Sequence, residues 1–457
     1  MTNRKAYITR IENELGSRKL IWIGTRGHDA WPLLEIRQLT EIYSVAAKLG
    51  SLSVEVDYSL EDYSGTRPDL DTYDFDRDRS GPADDLRRAI LAAVTGPTAI
   101  VAYRPFALLA ALAYPRRDLV RQLAMFHERQ VTFEHKPWVE SELRKAGLRV
   151  VPWDYRSTED LHRSQVALSS RSELVFRFNR SDGGAGLRAL RHPSDLEDGV
   201  RQVDDGFFAI APMLEPHIAL NVGGCVFKDG SYSLHGPSIQ LIGIPECTRR
   251  RFGYCGNDFG AVKNLDLQIL RDYDAMLKRV AAWLHSQGYL GAFGVDALVY
   301  DGRVYLAEVN PRFQGSSVTS ARIDQALNRL DIYCAHVAAF MDMSAPPLMT
   351  LEDLAHESPA LAQIVLHCRE SSAVRLSKQP EDLRGTRHEL VARANVSIQP
   401  DAILFRIVVD SSVTANGRAL DEPIARYVDK CARLDVIGDA DSRDDHLVHG
   451  GRALWKS

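Results

Sequence analysis

Short apolar runs bounded by glycine, proline and charged clusters recur along the chain. They predict buried strands alternating with a few amphipathic helices. Residues 19–23 form one such run, leading into Gly24 to Gly27, and residues 98–103 form a second, followed by a helical apolar pattern over 106–113. This is α/β patterning. Between the two runs, residues 65–85 are rich in Asp, Gly and Pro, with Pro68, Gly81 and Pro82 among them, and predict an exposed loop whose acidity serves solvation. A helix is expected to start at Pro137, whose fixed φ suits a first turn, and to stop at Gly147, which tolerates positive φ.

After residues 148–152 the patterning turns β-rich. Strands are predicted at 173–178, 207–211, 218–227 and 238–244, with a glycine turn at 228–230. Asn264 is positioned to cap a long helix in which Leu270, Tyr273, Leu277, Val280 and Leu284 keep three-and-four spacing, with Gly288 ending it. That stripe is core. Strands at 294–300 and 304–309 are joined by Asp301-Gly302, a strong hairpin signal. The last hundred residues carry strand patterns at 363–368 and 403–409 and an Asn416-Gly417 turn, which suggests a small α+β extension.

Composition narrows the classes. The 457 residues are 45% hydrophobic and 26% charged, ordinary for a folded chain with two or three cores, and the net charge of −5 offers no basic field for nucleic acid or an anionic membrane. The six cysteines (Cys225, Cys247, Cys255, Cys334, Cys368 and Cys431) include no CxxC pair, so neither a zinc site nor a disulfide framework is expected. With no apolar signal or membrane-spanning run in the pattern, a cytoplasmic protein is the expectation.

The segment from Gly294 to Arg312 carries the clearest chemistry. A hairpin turning at Asp301-Gly302 sets Asp296, on its first strand, beside Glu308 and Asn310, which share one face of the second. Two carboxylates and an amide oxygen make a hard-oxygen set suited to magnesium. Arg312, two residues on, offers a planar fork for a phosphate. Upstream, a strand ending near Phe178 enters a loop holding Gly183, Gly184 and Gly186, where backbone could close over phosphate oxygens, with Arg177 at the strand's inner end. The spacing matches neither a P-loop nor a dinucleotide fingerprint, so the loop alone reads equally as a plain turn.

In this order the parts resemble the ATP-grasp superfamily over roughly residues 130–317. The resemblance implies an α/β and α+β chain: an N-terminal pre-ATP-grasp α/β domain (1–128), a two-lobed ATP-grasp domain (129–343) and a C-terminal α+β extension (344–457). It implies that Lys136 and Arg177 contact ATP phosphate, Arg177 standing where the family commonly has lysine, and that Gly183, Gly184 and Gly186 form the lid. Met213, Leu214 and Glu215 would hold adenine and ribose. Asp296, Glu308 and Asn310 would bind Mg2+, with Mn2+ able to substitute, and Arg312 would act on the transferring phosphoryl group. The likeness extends toward amino-acid and peptide ligases of natural-product pathways, the pheganomycin-type peptide ligases among them. The implied reaction is ATP-dependent amide formation from a small-molecule carboxylate and an amine through an acyl phosphate. It implies no nucleic-acid or membrane partner and is compatible with a homodimer. A thiol acceptor, a kinase and a non-enzymatic ATP-binding regulator remain open alternatives. Arg249, Arg250 and Arg251 read equally as a clamp for a substrate carboxylate or as a solvated loop, and His217 and His235 as lobe residues.

Overall fold

The structure is a computed structural model and describes residues 4–47, 54–160, 173–180, 182–378, 380, 383–431 and 433–436. It is a mixed α/β protein. Its N-terminal part is a parallel sheet in the order Val56–Ser59, Leu39–Ala46, Lys19–Arg26, Thr98–Ala102, Val120–Leu123. Lys19–Arg26 is buried almost throughout, which is why it reads as an unbroken apolar run. The chain order leaves the middle of this sheet in both directions, so its switch point lies between Lys19–Arg26 and Thr98–Ala102.

A four-stranded antiparallel sheet forms a separate small lobe, in the order Asp154–Ser157, Phe207–Pro212, Leu174–Phe178, Leu187–Leu190. Phe176 and Phe208 stack in its core. The remaining large sheet runs Arg303–Asn310, Gly291–Tyr300, Ile218–Val226, Ser238–Ile242, Tyr254–Asp258, Ala362–His367, Ile403–Val409, Thr386–Glu389. It continues across residue 344, so the C-terminal strands extend the sheet that carries the acidic hairpin.

The helix Leu267–Ser286 packs its predicted stripe against this sheet, with Tyr273, Leu277, Val280 and Leu284 fully buried. Asp266 caps it by accepting from the Gln268 amide, whereas Asn264, the expected cap, ends a preceding short 3-10 turn. The aspartate wins because it directly precedes the first helical residue. The helix Lys136–Lys145 has Pro137 in its first turn, and Gly147 follows it at φ 81°.

One expectation holds only in part. Residues 68–80 carry no helix or strand and are mostly half-buried or exposed, but the rest of the 65–85 segment is built into the fold. Thr66–Arg67 pairs with Ser397–Ile398, Leu70 is buried, and a helix begins at Gly81. Arg67 is wholly buried; it forks onto Glu61 and donates to the carbonyls of Leu390, Ile403 and Leu404. The Asp/Gly/Pro composition hides an anchor that ties the N-terminal part to the C-terminal one. Among the described residues no helix is long and apolar enough to cross a membrane.

Candidate functional site

The strands Gly291–Tyr300 and Arg303–Asn310 form the predicted hairpin. Its turn residues Asp301 and Gly302 both have positive φ, as a tight two-residue turn needs. The register sets Asp296 directly opposite Glu308 and Gly294 opposite Asn310. Asn310 Nδ2 donates to Asp296 Oδ2 at 2.9 Å. The three sequence-predicted residues therefore converge.

Asp296 is surrounded by amides that sequence reasoning missed. Asn221 donates to its Oδ1 at 2.7 Å and Gln240 at 3.2 Å. Gln314 lies beside them, accepting from Asn221 at 3.0 Å. The close approach of Gln314 requires glycine at 294, where a Cβ would stand 1.9 Å from the Gln314 side chain. The signal was present: Asn221 and Gln240 stand on strands already predicted, but single amides on strands carry no motif. Burial first, and then the facing Glu308, push the Asp296 carboxyl up to about 7, against the donors Asn221 and Asn310. This carboxylate pair, with an amide oxygen alongside, fits a divalent cation, whose charge would relieve the opposition.

Cations ring the pair. Lys136, at the start of its helix, reaches Glu308 Oε1 at 2.8 Å. Arg177 is buried on its strand, pairs with Glu140 at 2.7 Å, donates to the Tyr155 hydroxyl at 2.7 Å and lies 4.1 Å over the Trp153 ring. Its Nε has no hydrogen-bond partner. Arg312 donates to Asp182 Oδ1 at 2.5 Å and to the Phe313 carbonyl at 3.0 Å, with the Tyr103 hydroxyl 3.4 Å away.

Asp182 belongs to the glycine loop, which the structure brings over the site. Arg104 pairs with the same carboxylate at 3.1 Å. Burial raises the Asp182 carboxyl, but Arg312, Arg104 and Lys136 together outweigh it and hold it at about 2. Gly183 and Gly184 both take positive φ, and a Cβ on Gly184 would fall 1.8 Å from the Phe252 carbonyl oxygen, so only glycine lets the loop dock there. The Gly186 carbonyl accepts from Phe178 N at 3.1 Å, closing the loop's base. Ser181, also part of the expected lid, lies outside the described residues.

Residues 238–316, which include the hairpin and Arg312, match the family described as ATP-grasp domain. No curated protein sequence matches the chain. Among solved structures, the biotin carboxylase of Campylobacter jejuni, a β,γ-ATP complex, superposes with a TM-score of 0.63 at 15% identity over 93% of each chain. The biotin carboxylase domain of Hydrogenobacter thermophilus 2-oxoglutarate carboxylase, a dimer with MgADP, ADP and bicarbonate, gives 0.62 at 13% identity over 92% of this chain and 91% of that one. Carboxyaminoimidazole ribonucleotide synthase of Aspergillus clavatus, complexed with ATP, gives 0.57 at 14% identity over 91% of this chain and 99% of that one. The fold is ATP-grasp.

In ATP-grasp terms the small antiparallel sheet and the large sheet are the two lobes, and Met213, Leu214 and Glu215 run between them. Met213 N donates to the Glu173 carbonyl at 2.9 Å, which continues the small sheet's pairing by one step. The Leu214 carbonyl contacts His217 Nδ1 at 2.5 Å. Glu215 pairs with Arg418 at 3.0 Å and lies 3.8 Å from Arg251.

The arginine loop is committed elsewhere. Arg249 forks onto Asp401 at 2.7 and 2.8 Å, Arg250 pairs with Asp69 and Asp401, and Arg251 pairs with Glu173 at 2.6 Å. All three guanidinium groups tie the loop to flanking segments, so neither a free clamp nor a purely solvated loop describes them. His235 is a lobe residue as expected: its Nδ1 lies 2.6 Å from Asp324 and its Nε2 3.3 Å from Ser233, with all three fully buried.

Proposed function

We propose that this ATP-grasp protein is an ADP-forming carbon–nitrogen ligase that activates a small-molecule carboxylate as an acyl phosphate and couples it to an amine. We assign it to amino-acid, peptide or natural-product biosynthesis. The observation that carries the reading is the pairing of Asp296 with Glu308 across the hairpin, with Asn310, Lys136 and Arg312 arranged around them.

ATP lies between the lobes, with adenine and ribose along Met213, Leu214 and Glu215 and its phosphates toward Lys136, Arg177 and the 183–186 loop. Asp296, Glu308 and Asn310 would hold Mg2+, or Mn2+ as a substitute, which would supply neutralisation of phosphate charge. Lys136, held at the Glu308 carboxylate, places positive charge where the phosphate tail arrives. The substrate carboxylate attacks the γ-phosphorus in line, and Arg312 stabilises the charge spread over the transferring group. The docked glycine loop keeps water from the acyl phosphate. The amine then adds to the acyl carbon, phosphate leaves, and an amide, ADP and phosphate result. The mechanism needs no protein nucleophile, because positioning and charge neutralisation do the work.

Neighbouring structures that hold MgADP or ATP support the nucleotide and metal. The test is a panel of carboxylic acids supplied with and without amines, using acids labelled with oxygen-18 in the carboxylate. Labelled phosphate formed only when acid and amine are both present supports the ligase. AMP and pyrophosphate, or phosphate without label, would sink it. A thioester product or a stable phosphorylated product would transfer the same site to a thiol ligase or a kinase.

A further inference from the structure

In an antiparallel sheet, residues paired directly across two strands lie on the same face, so the register of the large sheet can be followed from strand to strand. From Glu308 and Asp296 the pairing passes to Asn221 and then to Ser238. Gln240, two residues beyond Ser238 and so on the same face, is opposite Asn257, which is opposite Gln363. The row is polar all the way from the acidic hairpin to the strand Ala362–His367. It stops there, because the next residue opposite Gln363 is the buried Val408.

Gln363 stands among Ile364, Val365 and Leu366, has no exposure, and lies outside residues 238–316 that match the ATP-grasp domain family. Burying an amide is costly unless its hydrogen bonds are made. Both amide hydrogens of Gln363 are spent, one on the Tyr254 hydroxyl and one on the Gly315 carbonyl, each at 3.0 Å, and its Oε1 accepts from Thr319 at 2.5 Å. Each partner leads back to Asp296. The Tyr254 hydroxyl donates to Asn257 Oδ1, Asn257 Nδ2 donates to Ser238 Oγ at 2.9 Å, and Ser238 Oγ donates to the Asn221 carbonyl at 3.4 Å. Gly315 and Thr319 bracket Ser316, whose hydroxyl donates to Asn221 Oδ1 at 2.9 Å. With its oxygen so occupied, Asn221 presents Nδ2 to Asp296 Oδ1 and to Gln314 Oε1, at 2.7 and 3.0 Å. Two arms from Gln363 thus fix one amide.

We propose that Gln363 is a positioning residue for the metal site: it locks Tyr254 and the 315–319 segment, these set the orientation of Asn221, and Asn221 sets how the Asp296 carboxylate is offered to the cation. This rests on the magnesium assignment above and does not depend on which acid and amine are joined. An apolar residue at 363 would leave Tyr254, Gly315 and Thr319 without this partner and loosen the hold on Asn221. Fully satisfied buried networks keep a single arrangement, and outer partners of metal ligands carry about 10–100-fold in metal affinity.

The test is Mn2+ binding, read by electron paramagnetic resonance on the full chain saturated with a non-hydrolysable ATP analogue, beside thermal melting without metal. Gln363→Met keeps the length of the side chain and removes its polar atoms; it should raise the Mn2+ dissociation constant about tenfold. Tyr254→Phe is the milder variant. It removes one hydroxyl, keeps the Tyr254 N–H that donates to the Gly183 carbonyl, and should raise the constant about threefold. Leu366→Ala, in the apolar cluster on the other face of the same strand, measures what loss of packing does by itself: it should lower the melting temperature and leave Mn2+ affinity unchanged. If Gln363→Met and Tyr254→Phe bind Mn2+ as the parent does, or if Leu366→Ala weakens it as much as Gln363→Met, Gln363 serves the fold alone and the proposal is overturned. Should Gln363→Met fail to fold, Tyr254→Phe decides the matter. A parent chain that binds the analogue but no Mn2+ would instead overturn the magnesium assignment, and this proposal with it.

Discussion

The acidic hairpin and the arginine cluster at the carboxyl end of the N-terminal sheet both gather buried charge, but they balance it in opposite ways. At the hairpin, Asp296 faces Glu308, with the amides of Asn221, Gln240 and Asn310 bonded to Asp296 and Lys136 bonded to Glu308. In the arginine cluster the carboxylates are paired: Asp29 is shared by Arg26 and Arg406, and Glu389 is held by Arg322 and His28. Like charges held close in a folded protein raise its free energy until a counter-charge arrives, whereas paired charges do not. The hairpin is therefore built to receive a cation, whereas the arginine cluster is already balanced by its own carboxylates.

The most severe way to break this contrast is to remove one of the facing carboxylates. Glu308→Gln and Asp296→Asn should each lower turnover by about a hundredfold or more, since each takes an anionic ligand from the proposed metal. Circular dichroism should stay close to that of the parent, and the metal-free variants should melt no lower near neutral pH, because either change relieves repulsion. Near-normal turnover of either variant at saturating magnesium would remove the metal assignment.

Next in size is the glycine loop. Asp182 occupies Arg312 and Arg104 in the free protein, in the region where phosphate is proposed to bind, so nucleotide must displace it. Asp182→Asn should speed hydrogen exchange over residues 182–187 without nucleotide and tighten a non-hydrolysable ATP analogue about tenfold. In the parent protein the analogue with Mg2+ should slow exchange there. No change in either quantity would mean that the contact is incidental to nucleotide binding.

A smaller effect should appear in the pH dependence of stability. With its carboxyl raised from 3.8 to about 7, Asp296 keeps a proton in the folded protein at pH values where the unfolded chain has lost it. Its stabilising contribution is full below about pH 4 and is lost as the pH rises through about 7. The metal-free protein should therefore lose a few degrees of melting temperature over that range relative to Asp296→Asn. Magnesium should raise the parent's melting temperature most above pH 7. Parallel pH profiles for parent and variant would show that the carboxylate is ionised throughout.

The two regions also differ in how far they could be read from the sequence. The hairpin was legible because its chemistry is local: one turn and two strands fix Asp296 against Glu308, and alternation fixes the faces. The arginine cluster was not. Arg26, Arg322, Glu389 and Arg406 come from distant segments, and each is unremarkable where it stands. Residues 65–85 misled for a related reason: composition reported a turn-rich strap correctly, but the burial of Arg67 and Leu70 depends on partners more than three hundred residues away. The amides around Asp296 sit between these cases, on predicted strands but without a pattern to single them out.

The smallest expected effect concerns the arginine loop, and it separates a tie from a clamp. Arg249 is 41% exposed on its side chain, and its fork is filled by Asp401. An exposed pair of this kind contributes about 0.2–1 kcal/mol, so Arg249→Ala should lower stability by no more than about 1 kcal/mol in urea unfolding. As the guanidinium already has its carboxylate, the KM for any acid or amine should change less than about twofold, and added salt should narrow the stability difference. If the variant instead raised the KM of one substrate tenfold while unfolding at the parent's urea midpoint, Arg249 would have to leave Asp401 during the reaction. The carboxylate site would then lie on this loop, and the contrast between hairpin and arginine cluster would need a third region.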